Sequence, residues 1–126
     1  LVCENPIKIF GDGLQLRDFN YVDDCVEAFL LSGISEKTNG KVYNLGSNRF
    51  IGLKELAKKI LSLGFKGSYE LVSFPEDRKA IDIGDCYSDF SLITSELRWL
   101  PKTSLEYGLK KTIEYYKLHS SHYWSN

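Results

Sequence analysis

The chain has 126 residues, 43% hydrophobic and 26% charged, ordinary values for one small folded domain. Its formal net charge is -1, so nothing global attracts nucleic acid or an anionic membrane surface, and any anion site must be local. No apolar run approaches the roughly 18 residues that a membrane span needs, and the sequence opens at Leu1 with neither Met nor a signal-peptide pattern, as though cut from something longer.

In chain order, Ile7-Lys8-Ile9-Phe10 alternates and stops at Gly11-Asp12-Gly13, which predicts a short strand and a turn. Residues 19–22 predict a second strand. Asp24 has Glu27 three residues on, the spacing of a capping box, and Val26, Phe29 and Leu30 share one helical face. A helix is therefore expected from about Asp24 to Ser32. Residues 35–40 are polar and end in the turn signal Asn39-Gly40. A third strand is expected over Val42-Tyr43-Asn44-Leu45. Gly52 and Glu55 can open a helix whose apolar stripe is Leu53, Leu56, Ala57, Ile60 and Leu61, with Gly64 as its stop.

Residues 69–74 predict a fourth strand and residues 75–89 a charged loop. A short helix over about 91–98 precedes Trp99-Leu100-Pro101. Thr103 and Glu106 have capping-box spacing before Leu105, Leu109, Thr112, Ile113 and Tyr116, which fall at helical intervals. Gly108 inside that last helix costs about 1 kcal/mol relative to alanine, which a close approach by another segment would explain.

The first chemistry to weigh is anion binding. Arg17 follows the Gly11–Gly13 turn, and a guanidinium offers a planar, permanently charged fork of donors suited to a diphosphate. The competing reading is a surface arginine paired with Asp18 or Asp12. Arg78, with Lys79 beside it, is a second basic candidate on another loop, against the reading of an ordinary solvated charge cluster. Asp23 and Asp24 resemble an acid–base pair, but at a helix start carboxylates more often satisfy backbone N–H groups and the helix dipole.

Cys3, Cys25 and Cys86 have long spacings and no CxxC pattern, which points to reduced thiols in the cytoplasm. Cys25 stands at a helix start, where a thiolate is favoured, yet no histidine is near enough in sequence to make it a nucleophile. His119 and His122 read as a solvated tail rather than a metal pair. Ser47 lacks the Gly-x-Ser-x-Gly pattern of a nucleophile elbow. The aromatics from Tyr87 to Trp124 read as packing groups.

Taken together, Ile7 to Gly13 with Gln15 and Arg17-Asp18-Phe19, then Tyr21-Val22-Asp23-Asp24, Val42 to Gly46, Tyr87 to Ser91 and Leu97 to Leu109 resemble, in order and over nearly the whole chain, one family. It is the extended short-chain dehydrogenase/reductases that act on nucleotide-diphosphate sugars. The resemblance implies an α/β fold of short strands with three or four helices, the C-terminal substrate-binding part over residues 1–126, with the N-terminal Rossmann core missing. It implies that Arg17 binds the substrate diphosphate and that Arg78 binds it from the other side. The family's usual Arg-Pro-Gly-Asp is replaced here by Glu76-Asp77-Arg78-Lys79, so Lys79 shares or takes that second role. Backbone around Ile9 and Phe10 would hold the uracil or thymine base, and Asn44 lies near the nucleotide.

The partner so implied is a UDP- or dTDP-sugar, and the cofactor of the intact enzyme is NAD. Neither the family's Gly-x-x-Gly-x-x-Gly turn nor its catalytic Tyr-x-x-x-Lys pair is found; Tyr107 and Lys111 match the spacing formally but lie in the C-terminal helix. The chain alone is therefore expected to hold no NAD and to be inactive. Among the family's reactions 4-epimerisation of a UDP-sugar is the expectation. Decarboxylation, 4,6-dehydration, or a non-catalytic nucleotide-binding or interaction module are the alternatives. Segments that pack on the Rossmann sheet, namely Asp24 to Ser32 and Val42 to Leu45, would be left without partners, which predicts a homo-oligomer.

Overall fold

The computed structural model describes residues 5–64 and 67–124, so the expectation for the Cys3 thiol lies outside the described residues. The fold is α/β. Strand β1 (Ile7–Phe10) pairs in parallel with β4 (Tyr69–Val72), Ile7 opposite Tyr69 and Phe10 opposite Val72. Strand β2 (Leu16–Asp18) pairs antiparallel with β3 (Phe50–Gly52), Arg17 opposite Ile51. The two ladders share no strand. Gly11 and Gly13, both at positive φ (74° and 71°), make the turn from β1 toward β2.

Among the described residues, four helices have seven residues or more: α1 (Val22–Ile34), α2 (Leu53–Ser62), α4 (Ser91–Leu97) and α5 (Leu105–Leu118). Two single turns, α3 (Glu76–Lys79) and α6 (Ser120–Tyr123), and a 3-10 turn at Glu36–Thr38 complete the elements.

The main core is Ala28, Ile93 and Trp99, with Leu31, Tyr43, Leu45, Phe90 and Leu97 packed around it. Trp99 is 1% exposed, meets Phe90 edge-on with ring centroids 6.1 Å apart, and donates Nε1–H to the Asp24 carbonyl at 2.9 Å. A second, smaller core forms where the apolar stripe of α2 lies against β1, around Ile9 and Ala57. Helix α5 crosses the start of α1 at Gly108, where an added Cβ would come within 3.0 Å of the Tyr21 ring; this is the close approach that the glycine implied.

Several expectations are corrected. The second strand is Leu16–Asp18 rather than residues 19–22, and α1 begins at Val22, where Tyr21 caps it without a side-chain hydrogen bond. Asp24 makes no capping box with Glu27. It is 4% exposed, and its two carboxylate oxygens accept from Lys102 N (3.2 Å) and Thr103 N (3.0 Å), tying α1 to the loop before α5. The inward stripe of α1 is Asp24, Ala28 and Leu31, whereas Val26, Phe29 and Leu30 face outward, Phe29 at 74% exposed.

Residues 42–45 form no ladder among the described residues. Tyr43 and Leu45 turn inward while Val42 stands 85% exposed, so the alternation of a strand is present without an adjacent strand to bond it. The Tyr43 hydroxyl instead donates to Glu96, which pushes the phenol up to about 12, while Lys41 and Tyr43 together hold the Glu96 carboxyl below its ordinary value. The cap of α5 is Ser104, whose Oγ accepts from Tyr107 N at 3.3 Å, rather than Thr103.

Candidate functional site

A cavity of about 330 Å³ lies between β1, β2 and α2. Ile9, Leu53, Leu56, Ala57 and Ile60 give it an apolar floor, Phe10 and Phe74 an aromatic wall, and Lys8, Gln15, Arg17 and Asp82 its polar groups. An apolar hollow with a few convergent polar groups is the usual form of a small-molecule site.

The local sequence explains the placement. β1 gives Ile7 N–H to Ser68 and Gly11 N–H to Val72, each at 2.9 Å, so the peptide groups of Ile7, Ile9 and Gly11 face β4. Because successive peptide groups of a strand point to opposite edges, Phe10 turns its N–H and C=O to the open edge, toward β2. There Gln15 Nε2 donates to the Phe10 carbonyl at 3.3 Å.

Arg17 projects from the middle of β2, which is braced on both sides. On one side is β3; on the other, Cys86 N donates to Leu16 O (3.0 Å) and Leu16 N to Asp85 Oδ1 (2.7 Å). The next residue, Asp18, anchors the strand end: its Oδ2 accepts from Ser47 N (3.2 Å) and Ser88 N (3.1 Å). Asp18 is thereby occupied and does not pair with Arg17. Instead Arg17 Nη1 donates to the carbonyls of Leu16 and Gly84, and Nη2 stands 4.0 Å from Asp82. The segment 82–86 thus lies over the guanidinium.

Of the residues expected at the site, Ile9, Phe10 and Arg17 line this one cavity. Arg78, on the turn α3, does not line the cavity but touches its wall, its guanidinium 5.4 Å from the centroid of the Phe10 ring, a cation–π contact. Lys79 is exposed on the same turn, and Asn44 is exposed on the segment after Lys41; neither lines the cavity. Sequence reasoning missed Asp82 and gave Gln15 no role. Asp82 was hidden in a stretch read only as charged loop; the signal for Gln15 was its position between a glycine turn and the arginine strand.

Other candidates separate from the site. Burial, and then the neighbouring Asp24 carboxylate, push the Cys25 thiol up, which opposes a thiolate at this helix start. Cys25 and Cys86 are both free. His119 and His122 stack with ring centroids 5.8 Å apart, and the described residues contain no group of three or more metal-binding side chains. The Gly11–Gly13 turn runs into β2 and not into a helix N-terminus, and Lys111 is paired with Asp23 at 3.1 Å and lies over the rings of Tyr21 and Tyr107. No helix among the described residues is long and apolar enough to cross a membrane.

Comparison with known proteins bears on the family and the fold. Residues 2–46 match the model of the NAD dependent epimerase/dehydratase family. The chain is 31% identical to a dTDP-glucose 4,6-dehydratase of Neisseria meningitidis serogroup B, over 96% of this chain and 36% of that protein. It is 35% identical to a UDP-glucuronate 4-epimerase of Thermodesulfobacterium geofontis, over 90% of this chain and 34% of the relative. Among solved structures, UDP-glucose 4-epimerase of Thermotoga maritima with UDP-glucose superposes with a TM-score of 0.78 at 32% identity, covering 91% of this chain and 36% of that one. The chain belongs to the NAD-dependent epimerase/dehydratase family of short-chain dehydrogenase/reductases. It spans about a third of the length of the curated relatives it matches.

Proposed function

We propose that this chain is the nucleotide-diphosphate-sugar-binding part of an NAD-dependent sugar epimerase or dehydratase. The observation that carries the reading is the arrangement of Arg17 and Phe10 on one apolar cavity, with Arg78 stacked on Phe10. Two guanidiniums near a hollow with an open backbone edge suit a pyrimidine nucleoside diphosphate: the edge at Phe10 for the base, the cations for the diphosphate. A sugar 4-epimerase acting on a UDP-sugar remains our reading of the reaction. The named relatives also include a dTDP-glucose 4,6-dehydratase, and in our reading most sugar-facing residues lie outside this chain. The intact enzyme would use NAD to oxidise the sugar; in this reading the chain itself neither holds NAD nor turns over.

Calorimetric titration tests this. UDP should bind the chain, and Arg17→Ala should weaken it by about 2 kcal/mol, roughly thirty-fold, because a charge-assisted pair to the diphosphate is lost. NAD added to the same chain should give no binding heat. Equal UDP affinity in wild type and variant, or stoichiometric NAD in the purified protein, would sink the proposal.

The outward face of α1 bears on the same reading. Val22, Val26, Phe29, Leu30 and Ile34 lie bare along it, Ile34 at 83% exposed, with Val42 nearby in sequence terms at the start of the unpaired 42–45 segment. We assign this face to the remaining two thirds of the polypeptide that the relatives possess. In the isolated chain it should drive self-association. Sedimentation velocity should show concentration-dependent oligomers that dissociate when Phe29→Ser and Ile34→Ser are combined; a wild-type monomer at all concentrations would refute this.

A further inference from the structure

We infer that the groove between the 47–49 loop and α5 is a second small-molecule site, separate from the Arg17 cavity, which takes a phosphate monoester bearing hydroxyl groups, of the size of a hexose phosphate.

Two hollows lie side by side there. One, of about 270 Å³, is bounded by residues 47–49 and 100–105; the other, of about 160 Å³, by Asn20, Tyr21, Gly108, Leu109 and Thr112. They have Phe19, Thr103, Ser104 and Leu105 in common and share no residue with the cavity at Arg17. Arg49 therefore stands at one end of the groove and Asn20 at the other.

The charge at the outer end has one sign. Arg49 and Lys102 line it, and no carboxylate does among the described residues. Lys102 is paired with Glu27, which lies off the lining, so the uncommitted cation is Arg49. Its guanidinium has no ion pair or hydrogen bond among the described residues; only its backbone N–H is engaged, by Ser47 Oγ at 3.2 Å. A fork of unmatched donors beside a hollow suits a phosphate. Two hydroxyls add to it. Ser47 Oγ and Ser104 Oγ each accept from a backbone N–H, which leaves both hydroxyl hydrogens free to donate.

The inner end makes a different demand. Asn20 Oδ1 is closed off from solvent and has no hydrogen-bond partner among the described residues. Such a group is costly and uncommon without a reason. No charge lines this end, so the matching group is neutral. A hydroxyl both donates and accepts, so it satisfies the Asn20 amide in either orientation. The terminal torsion of Asn20 is a soft one, and a small rotation presents the amide to the hollow without moving the backbone. Between the two ends, Phe19, Tyr21 and Leu105 offer apolar faces to the C–H groups of a sugar ring. An anion at one end and a hydroxyl at the other, on one small molecule, meet both demands.

Amide chemical-shift titrations test this, with glucose 6-phosphate and inorganic phosphate as the probes. Wild type should bind glucose 6-phosphate about ten-fold more tightly than phosphate, the worth of one well-placed hydrogen bond. The shifts should gather at residues 47–49 and 102–105. Arg49→Ala should weaken both ligands about ten-fold. Asn20→Leu should abolish the preference for the sugar phosphate while phosphate affinity is kept, which also reports that the variant is folded. Arg17→Ala should change neither affinity, whatever becomes of the nucleotide reading. Absence of shifts at residues 47–49 with both ligands would overturn the inference. So would undiminished affinity in Arg49→Ala, or binding lost in Arg17→Ala. Equal affinity of wild type for the two ligands would overturn it as well, since the Asn20 end would then contribute nothing.

Discussion

Replacing Asp24 with alanine is expected to lower the unfolding free energy by about 3 kcal/mol, the cost of leaving two enclosed backbone N–H groups without their charged acceptor. Asp24 is 4% exposed, and its two oxygens are divided between Lys102 N and Thr103 N. These hydrogen bonds cross about 78 positions of sequence and are reinforced by Trp99, which donates to the backbone carbonyl of the same residue. Asp24→Asn retains one acceptor oxygen and places an amide donor against the second N–H, so it should lose much of the same stability. Asp23→Ala, which removes only an exposed pair with Lys111, should cost under about 1 kcal/mol. Urea unfolding of the three variants decides the matter. Equal, small losses at both aspartates would mean that the bonds to residues 102 and 103 contribute nothing.

Gly46→Ala should be as damaging by a different route. An added Cβ would stand 2.7 Å from the Ser88 carbonyl, 2.8 Å from Asp18 Oδ2 and 2.9 Å from the Phe90 ring. None of these can step aside cheaply. Asp18 Oδ2 is held by two backbone N–H groups, and Phe90 packs on Trp99. Overpacking of this kind costs about 3 kcal/mol. It would also loosen Asp18, the residue next to Arg17. The contrasting control is Gly33→Ala in α1, where a Cβ meets nothing within 4 Å; relief of the helical glycine should stabilise by about 0.5–1 kcal/mol. Thermal unfolding should move in opposite directions for the two variants, and a shift of the same sign in both would contradict the steric account.

Much of the local structure was legible because it is written in short-range patterns. β1 and its glycine turn, the stripe of α2, the short helix before Trp99 and the helical intervals of α5 all depend on neighbours a few residues away. Arg17 stood out for the same reason, as a cation between a glycine turn and a strand. What could not be read were partners distant in sequence. Asp24 sits beside Asp23 and looks like it, yet one lies inward with Ala28 and Leu31 and the other faces solvent. Periodicity chose the wrong face of α1, since the most apolar side is the one left bare. The same holds for Val42 to Leu45, whose alternation is that of a strand while no neighbouring strand bonds it among the described residues. Asp18 pairing with Ser47 and Ser88, and Asp82 facing Arg17, likewise required the fold to bring separate loops together.

The hold of segment 82–86 on Arg17 has a kinetic consequence. The guanidinium gives its donors to the Leu16 and Gly84 carbonyls and faces Asp82, so on the proposed reading of Arg17 as a diphosphate ligand, the diphosphate must take the place of groups already there. Binding becomes an exchange, with an opening step ahead of capture. The affinity measured is then the intrinsic one reduced by the fraction of molecules with the segment open. In stopped-flow mixing the observed association rate should level off as UDP is raised, at the rate of opening, and a Gly84→Pro or Asp82→Ala change should move that plateau. A rate rising linearly to the highest concentrations would show that the guanidinium is free to be met directly.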